Sequence, residues 1–426
     1  MKSRLVPTAC ALALWASGTL AADQTVVGAG NALAAQIAES SPFVRQKLDY
    51  LVGQAARIRD PHLRSETLDA LSNPKTCIRH RANLTQADKE AIVAELVSQG
   101  LLNPALDATE PGGLLAGVFP PVENDGTSCP TLPQPFGSAP GSGNGSHHAF
   151  PGGLAVHESF NEHSDQTFAT NYRRNYGPAE LDDDGADDLF PAPGSAIDED
   201  LIIAAPLWHD WSKPIVFQWN ADGTEFVELS IGGAGKAQDG FGGAAGDSQT
   251  GGHHILAIAE SMKRGFSPAM VITQACAHSN PTLGNEFKVV NWIRAAAIVA
   301  KQDPLRQGYL VTVGGLYRLP PLRDLASGAD LTAHAQLNLL PEYTIHNLSD
   351  ADFTYTIPAV NISDVLLPAL APSYGYNPAD VTTYNWKFRN TVLAHLAAEN
   401  ILFAYESGGE KAVQKLIDAL HRQGIL

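Results

Sequence analysis

A histidine and an aspartate stand side by side at His209-Asp210, in the segment PLWHDWSKP that ends the apolar run LIIAAPLW. Lys213 follows three residues after the aspartate. A carboxylate in apolar surroundings is costly unless a positive partner compensates its charge. A metal ion is such a partner and engages the histidine too, because neutral imidazole is the commonest protein ligand for transition metals. The pair by itself also fits a hydrogen-bonded couple at a helix end.

The histidines of this chain are unevenly distributed. Eight of the fourteen lie in a window of 132 residues, where an even spread over the 426 residues would place about four. These eight are His147, His148, His157, His163, His209, His253, His254 and His278. Any one of them alone, such as His157 on an apolar helix face, fits a satisfied core histidine. Their clustering in helical segments favours a metal site.

Two motifs taken together, HHAFPGGLAVHESF and AAPLWHDWSK, resemble the HD-domain metal-dependent phosphohydrolase superfamily. In one branch of that superfamily, a similar His-His and Gly-Gly stretch opens the first metal-binding helix. A second helix then ends in an apolar run, His-Asp and a nearby lysine. The later segment GGHHILAIAESMKRGFSPAMVITQACAHSNP is also similar, and the resemblance covers roughly residues 145–303. It implies a helical bundle whose ligands project inward from facing helices.

The resemblance implies a set of metal ligands and two catalytic residues. The implied ligands are His157, His209, Asp210, His254 or its neighbour His253, and His278. Asp210 would bridge two ions and orient the attacking water. Lys213 would face the phosphate of the substrate, and His147 and His148 would lie at the rim and contact substrate.

The chain departs from the family pattern at its last ligand. Family members carry an aspartate on the final helix, in a stretch resembling I-R-x-A-D. Here the stretch is WIRAAAIVAKQD, which places Ala297 in that register. Asp303 is the nearest carboxylate, nearly two turns later, and is therefore the candidate for the last ligand.

The function implied is hydrolysis of a small phosphoester by metal-activated water. One or two divalent ions would neutralise the phosphate and lower the pKa of water from about 16 towards about 7. The residues do not distinguish Fe, Mn, Zn, Co and Mg. Two alternatives remain open: an HD-type di-iron oxygenase with the same ligand order, and a degenerate, non-catalytic metal-binding scaffold, which Ala297 makes credible.

Hydrophobic periodicity predicts a mainly α fold with a small β-hairpin insertion and a mixed C-terminal extension. The hairpin is expected around Asp222-Gly223, and DFTYTIPAVNI in the extension looks like a strand. The acidic stretch 179–200 is typical of a solvated loop, and the glycine-rich stretch 232–252 of a flap or an insertion. The expected divisions are a signal peptide at 1–22, an N-terminal helical region at 23–103, a Pro/Gly/Ser-rich linker or cover at 104–146, an HD-type core at 147–303 and an extension packed on it at 304–426.

The N-terminus and the charge indicate the compartment and the partners. Residues 1–22 combine two cations, an apolar run and small residues before Asp23, the layout of a secretory signal cleaved near Ala21/Ala22. Removing Lys2, Arg4 and no acid changes the formal net charge from −17 to −19, which disfavours nucleic acid as a partner. No second apolar run follows, so stable membrane insertion is not expected.

Three cysteines would remain in the exported chain. Cys77 and Cys129 lie in polar, turn-rich segments and are expected to pair in an oxidising compartment, whereas Cys276 lies in an apolar segment. Three free thiols are the alternative. The chain is thus expected to be secreted or periplasmic.

The exported protein should begin near Ala22 or Asp23. Mass spectrometry of the intact protein and of a non-reducing digest would give the new N-terminus and one peptide pair linked through Cys77 and Cys129. An intact Met1 on protein recovered from the cytoplasm would contradict the assignment of the leader.

Overall fold

The computed structural model describes residues 26–143, 145–176, 197–225, 228–233, 247–281, 285–321 and 340–426. The expected signal peptide lies outside these residues, as do most of the acidic loop and of the glycine-rich stretch. Within them the chain is mainly helical with two small antiparallel hairpins, which confirms the predicted fold class at that level. Among the described residues, no helix combines the length and the apolarity needed to cross a membrane.

The N-terminal region forms helices whose first residues are capped by side chains. Ser41 caps α2 and Asp60 caps α3, each followed by a proline that suits the first helical turn. Thr85 and Asp88 form a reciprocal capping box on α4. The helices are α1 (Asn31–Ser40), α2 (Pro42–Ala55), α3 (Pro61–Ser72) and α4 (Gln86–Ser98).

The Pro/Gly/Ser-rich segment 104–146 is a cover over the helical core. It contains the short helix α5 (Gly113–Val118), and its apolar side chains Leu114, Phe119 and Phe136 are buried in the main hydrophobic cluster. Cys129 in this segment lies at disulfide distance from Cys77, with 4.9 Å between their Cα atoms. Such a pair is typical of an oxidising compartment. Cys276 is a buried free thiol.

The centre of the molecule is formed by helices that are buried almost all round. Every residue of α7 from Leu201 to His209 is buried, as is every residue of α9 up to Met262. A helix that is enclosed on all sides belongs to the core rather than to the surface. The elements of this region are α6 (Gly153–Tyr176), α7 (Glu199–His209), α8 (Lys213–Val216), β1 (Ser230–Ile231), β2 (Thr250–Gly251), α9 (Gly252–Lys263), α10 (Pro268–Ala275) and α11 (Glu286–Val299).

The expected hairpin around Asp222-Gly223 is smaller than predicted. A bridge joins Trp219 to Glu225 across the turn, where Gly223 adopts a left-handed conformation with φ of 85°. The strand β1 that follows pairs with β2, which lies at the C-terminal end of the glycine-rich stretch. The second hairpin joins β3 (Val311–Val313) to β4 (Leu316–Arg318).

The C-terminal extension is helical where the sequence looked like a strand. Residues 352–362 lie in α13, so that prediction is wrong. The large side chains Phe353, Tyr355 and Ile357 are exposed. Small and polar residues recur at helical spacing on the buried side: Asp352, Thr356, Ala359 and Ser363. The helices are α12 (Pro341–Ser349), α13 (Asp352–Leu370), α14 (Val381–Tyr384) and α15 (Asn390–Arg422), with a π-helical turn before α15 and a break at Gly408-Gly409.

The extension packs on the rest of the molecule through a second hydrophobic cluster. Trp386 and Ile401 pack there with Trp219 and Ala34. The Ser41 hydroxyl donates to the carbonyl of Ala394 at 2.7 Å, which joins the start of α2 to α15. The extension is thereby held against α1, α2 and α6.

A buried ionic network links the disulfide segment to the central helices. Arg264 is enclosed, stacks on Trp208 and Trp211, and donates to Glu66 and Glu260 at 2.8 Å each. The other oxygen of Glu260 lies 2.9 Å from His80 Nδ1. Burial alone would raise the pKa of Glu260, but Arg264 and His80 outweigh it and lower that pKa to about 2.

Glu260→Gln should reduce the free energy of unfolding by about 3–5 kcal/mol, because it leaves the buried Arg264 charge incompletely paired. The folded pKa of Glu260 lies below its unfolded value, so this stabilisation should be complete above about pH 4.5 and should decline as the pH falls towards about 2. Denaturant unfolding between pH 3 and pH 7 would measure both effects. Glu406→Gln, on the exposed side of α15, is the matched control and should change stability little.

Candidate metal centre

The histidines and carboxylates of interest reach one buried region from five parts of the fold. His157 lies in the first turns of α6, and His209 and Asp210 lie at the C-terminal end of α7. His253 lies at the start of α9, and His278 follows α10. Asp350 lies between α12 and α13, in the C-terminal extension.

Two histidines and two carboxylate oxygens surround a first position. His157 Nε2 lies 3.1 Å from Asp210 Oδ2 and 3.3 Å from Asp350 Oδ1. His209 Nε2 lies 3.4 Å and 3.2 Å from the same two oxygens. The side-chain amide of Asn161, one turn after His157, lies 3.2 Å from Asp350 Oδ1.

A second position lies on the other side of the same two carboxylates. His253 Nε2 is 3.1 Å from Asp210 Oδ1, and His278 Nε2 is 3.7 Å from Asp350 Oδ2. Asp210 and Asp350 therefore each present one oxygen to the first position and the other oxygen to the second. Each carboxylate therefore lies between two groups of histidine nitrogens.

Each of the four histidines has a hydrogen-bonding partner at its Nδ1 atom. The contacts are Asp352 with His157 at 3.0 Å, the Pro206 carbonyl with His209 at 3.0 Å, Glu228 with His253 at 2.6 Å, and Thr250 Oγ1 with His278 at 2.7 Å. An acceptor at Nδ1 keeps the proton there and leaves Nε2 free to bind a metal, the usual outer-shell arrangement of metal-binding histidines. The same orientation recurs at all four rings.

The donor set could hold a metal ion. Imidazole and carboxylate ligands bind divalent transition metals at about 2.0–2.2 Å, which places neighbouring ligand atoms about 3.0–3.5 Å apart. Most of the Nε2–oxygen distances given above lie in this range. Within the described residues, Oδ1 of Asp210 and Nε2 of His253 lie 3.1 Å apart and are both buried without a hydrogen bond, whereas Oδ2 of Asp210 already contacts the Lys213 ammonium. Buried polar atoms in that state need a partner, and a cation between them supplies it.

The sequence left open whether His253 or His254 belongs to the site. The rotation of α9 places His253, and not His254, beside Asp210. Nε2 of His253 points towards Asp210, whereas Nε2 of His254 lies 3.1 Å from the carbonyl of Ala275 and its ring stacks on His278 at 4.2 Å. Burial lowers the pKa of His254 well below its ordinary value, so its ring stays neutral. His254 supports the position of His278 rather than reaching the carboxylates.

The second carboxylate beside the four histidines is Asp350, not Asp303. Asp303 accepts from the backbone amides of Leu305 and Arg306 in an exposed turn, and with Ala297 it lines a cleft beside α4 and α11. Asp303 therefore lies apart from the histidines, and the sequence did not point to Asp350, which lies among them. Asp350 and Asp352 were missed because they follow 47 and 49 residues later. The only signal for them is the pair of acids in NLSDADF, at the boundary of two helices.

The other residues named from the sequence lie around the centre. The Lys213 ammonium is buried and contacts Asp210 Oδ2 and the carbonyl of Gly141. His148 Nε2 lies 3.0 Å from Asp352 Oδ2, in the His-His turn that precedes α6. The half-buried His147 ring lies 5.1 Å from that of His157, centroid to centroid. Lys213 and His147 thus border the first position, and His148 lies behind it.

The two carboxylates stay ionised, and neighbouring carboxylates raise the pKa values of His157, His209 and His253, whereas burial lowers that of His278 to about 4. Burial would raise the pKa values of Asp210 and Asp350, but His209 together with the other neighbouring histidines, and Lys213 at Asp210, outweighs burial and holds them well below the ordinary value. Burial likewise lowers the pKa of His253, but Glu228 and Asp210 raise it to about 9. A metal must displace such protons, so its affinity should increase with pH.

Asp350→Asn should lower the metal content sharply at both positions, because each loses a charged oxygen. Asp303→Asn is the matched control and should retain the metal of the natural chain. Metal analysis after gel filtration measures the content, and circular dichroism reports whether helix content is preserved. Metal loss in Asp303→Asn together with full metal in Asp350→Asn would contradict this assignment.

Comparison with known proteins finds no relative of this chain. No family model, no curated protein and no solved structure matches the chain. The resemblance to the HD-domain superfamily therefore rests on the two histidine motifs alone.

Proposed function

We propose that the chain is a divergent HD-type, metal-dependent phosphohydrolase that acts on a small phosphoester. The observation that carries the proposal is that Asp210 belongs to two groups of histidines that could hold a metal ion. Asp350 lies beside the same histidines, and the Lys213 ammonium contacts Asp210. Bound divalent ions would supply charge neutralisation and a water molecule of lowered pKa.

The ligand set supports a loaded centre rather than a degenerate scaffold. That alternative rested on Ala297, where the family motif has an acid. Asp350 offers a carboxylate from a different part of the chain, so the alanine does not leave the centre without a final acidic ligand. Four histidines with matching outer contacts would be unusual in a site that had lost its metal.

Lys213 is the residue that favours phosphate as the group acted upon. Burial lowers the pKa of Lys213, but Asp210 outweighs it and raises that pKa, so the side chain remains a cation. A cation next to metal ions does not help to bind them, since like charges repel. It is better explained as a partner for a negatively charged substrate, whose developing charge it would stabilise in the transition state.

His147 contributes a neutral side chain at the same border. Burial, and after it the neighbouring His157, lower the pKa of His147 to about 2. Its imidazole therefore offers a hydrogen bond to substrate without adding charge. His148 is engaged with Asp352 and holds the turn that carries both residues.

Lys213→Met should retain the metal content but reduce phosphoester turnover by about 10²-fold, the scale of one lost charge-stabilising group. Lys263→Met, at the exposed end of α9, is the matched control and should leave turnover unchanged. The assay is phosphate or alcohol release from phosphomonoesters and phosphodiesters with Mn, Fe, Co, Zn or Mg supplied.

Three outcomes of that assay separate the candidate functions. Metal-dependent ester cleavage supports the hydrolase. No cleavage with any metal, together with iron-dependent oxygen uptake, would replace it with an oxygenase. If neither ester cleavage nor oxygen uptake is detected while metal is still bound, the chain is a binding scaffold.

A further inference from the structure

An apolar groove of about 630 Å³ lies between α2, α6, α13 and α15. Its walls include the aromatic side chains of Phe43, Phe160, Phe168, Tyr355 and Phe403. Its volume lies in the range of small-molecule sites, which are mostly apolar with a few polar groups. Neither the residues at the two metal positions nor Lys213 belong to its lining, so the groove is a site separate from the candidate metal centre.

Three of the aromatic side chains in the lining are unusually exposed. Phe160 is 44% exposed, Phe403 60% and Tyr355 71%, and the rings of Phe160 and Tyr355 lie 6.4 Å apart. Exposed apolar residues gathered around one concave site mark a place where an apolar group binds.

The lining also contains two polar atoms that lack a hydrogen bond. They are Nδ1 of His148, a residue that is only 6% exposed, and Oε1 of Glu399, and both atoms are buried. The distance between them is 4.0 Å, which is too long for a hydrogen bond. On the other side of the ring, Nε2 of His148 lies 3.0 Å from Asp352 Oδ2 and donates to it, which leaves Nδ1 as an acceptor in the neutral ring.

These two neighbouring acceptors determine which chemical group would satisfy them. Buried polar atoms are normally hydrogen-bonded, and a carboxylate is stabilised most by a charged donor. A primary ammonium carries three N–H donors and a positive charge, so one nitrogen about 2.8 Å from each atom would donate to both. A hydroxyl has a single hydrogen to donate, and a carboxylate has none and would be repelled by Glu399.

The other charged side chains of the lining do not occupy this place. Asp352 is already compensated, because His148 Nε2 and His157 Nδ1 each lie 3.0 Å from one of its oxygens. The Lys47 ammonium lies over the ring of Phe43, 5.5 Å from its centroid, a contact that shows that the aromatic wall can accommodate an ammonium group. In the described part of the chain, His148 is the only basic side chain within 4.0 Å of the Glu399 carboxylate.

The backbone is constrained beside the same two side chains. His148 and Ala397 both line the groove, and both have positive φ, 52° and 57°. Residues other than glycine adopt such conformations at a cost, and they cluster at ligand sites, where the surrounding structure holds them.

We propose that the groove binds a small primary amine with an apolar tail. The ammonium group would donate to Glu399 and His148, and the tail would pack against the aromatic walls. This inference concerns a second site and does not rest on the proposed function.

The test is calorimetric titration of the full chain with octylamine, 1-octanol and octanoate, which share the tail and differ in the polar group. We expect octylamine to bind at least about 10-fold more tightly than 1-octanol, because a charge-assisted hydrogen bond is roughly twice as strong as a neutral one. Glu399→Gln should remove most of this difference, since it keeps the shape and removes the charge. Glu406→Gln, on the exposed side of α15, is the matched control and should preserve the difference.

A second pair of variants tests the position of the tail. Phe403→Ser should weaken the binding of octylamine and of 1-octanol by a similar factor, because both bury the same tail. Val365→Ser removes an exposed apolar residue of α13 outside the groove and should leave both affinities unchanged. Circular dichroism reports whether each variant keeps its helix content.

The contrary outcomes are distinct. Binding of 1-octanol as tightly as octylamine would overturn the assignment of an amine, as would a preference for octylamine that persists in Glu399→Gln. A preference for octanoate that is lost in Lys47→Met would make the groove a carboxylate site instead. No detectable binding of any of the three compounds would overturn the groove as a ligand site. Because the readout is binding, none of these results depends on whether phosphoesters are cleaved.

Discussion

Two buried carboxylates, Asp210 and Asp350, impose the main constraint on this structure. They lie among apolar helices, where an uncompensated negative charge is unstable. The inward Nε2 atoms of four histidines and the Lys213 ammonium surround them. The helices must converge at this point for those nitrogens to reach the oxygens. This explains why α7 is buried all round and ends with the His-Asp pair, and why the start of α9 faces the same place.

The centre depends on a second layer of contacts that fixes the orientation of the imidazole rings. Asp352 and Glu228 hold His157 and His253, while a backbone carbonyl and a threonine hydroxyl hold His209 and His278. These contacts come from α13, from the segment before β1, from α7 itself and from β2. A metal centre built in this way requires the whole domain to be folded, because the ligands and their supports are far apart in the chain.

The C-terminal extension is part of the centre and not an accessory to it. It supplies Asp350 to both positions and Asp352 to the ring of His157, and its helices form one side of the apolar groove. The Ser41–Ala394 hydrogen bond and the cluster around Trp219 and Trp386 hold it in place. Packing remote from the centre therefore positions one of its two central carboxylates. A separation of the chain at residue 303, as the sequence divisions implied, would leave the candidate centre without Asp350.

The sequence by itself determined the features that depend on local pattern. Helical periodicity predicted the mainly α fold, polar turn-rich surroundings indicated the Cys77–Cys129 pair, and the two histidine motifs pointed to His157, His209 and Asp210, which the structure brings together. Only the tertiary structure decided between His253 and His254, because adjacent residues on a helix face different directions and the rotation of α9 is set by packing. It alone located Asp350, since a ligand is defined by its distance in space and not by its distance along the chain. It also showed a helix at residues 352–362, where the buried face is made of small and polar residues and the conspicuous aromatic residues lie outside. Tertiary packing overrides the local strand propensity there. The buried residues recur at helical spacing, and these are the residues that contact the core.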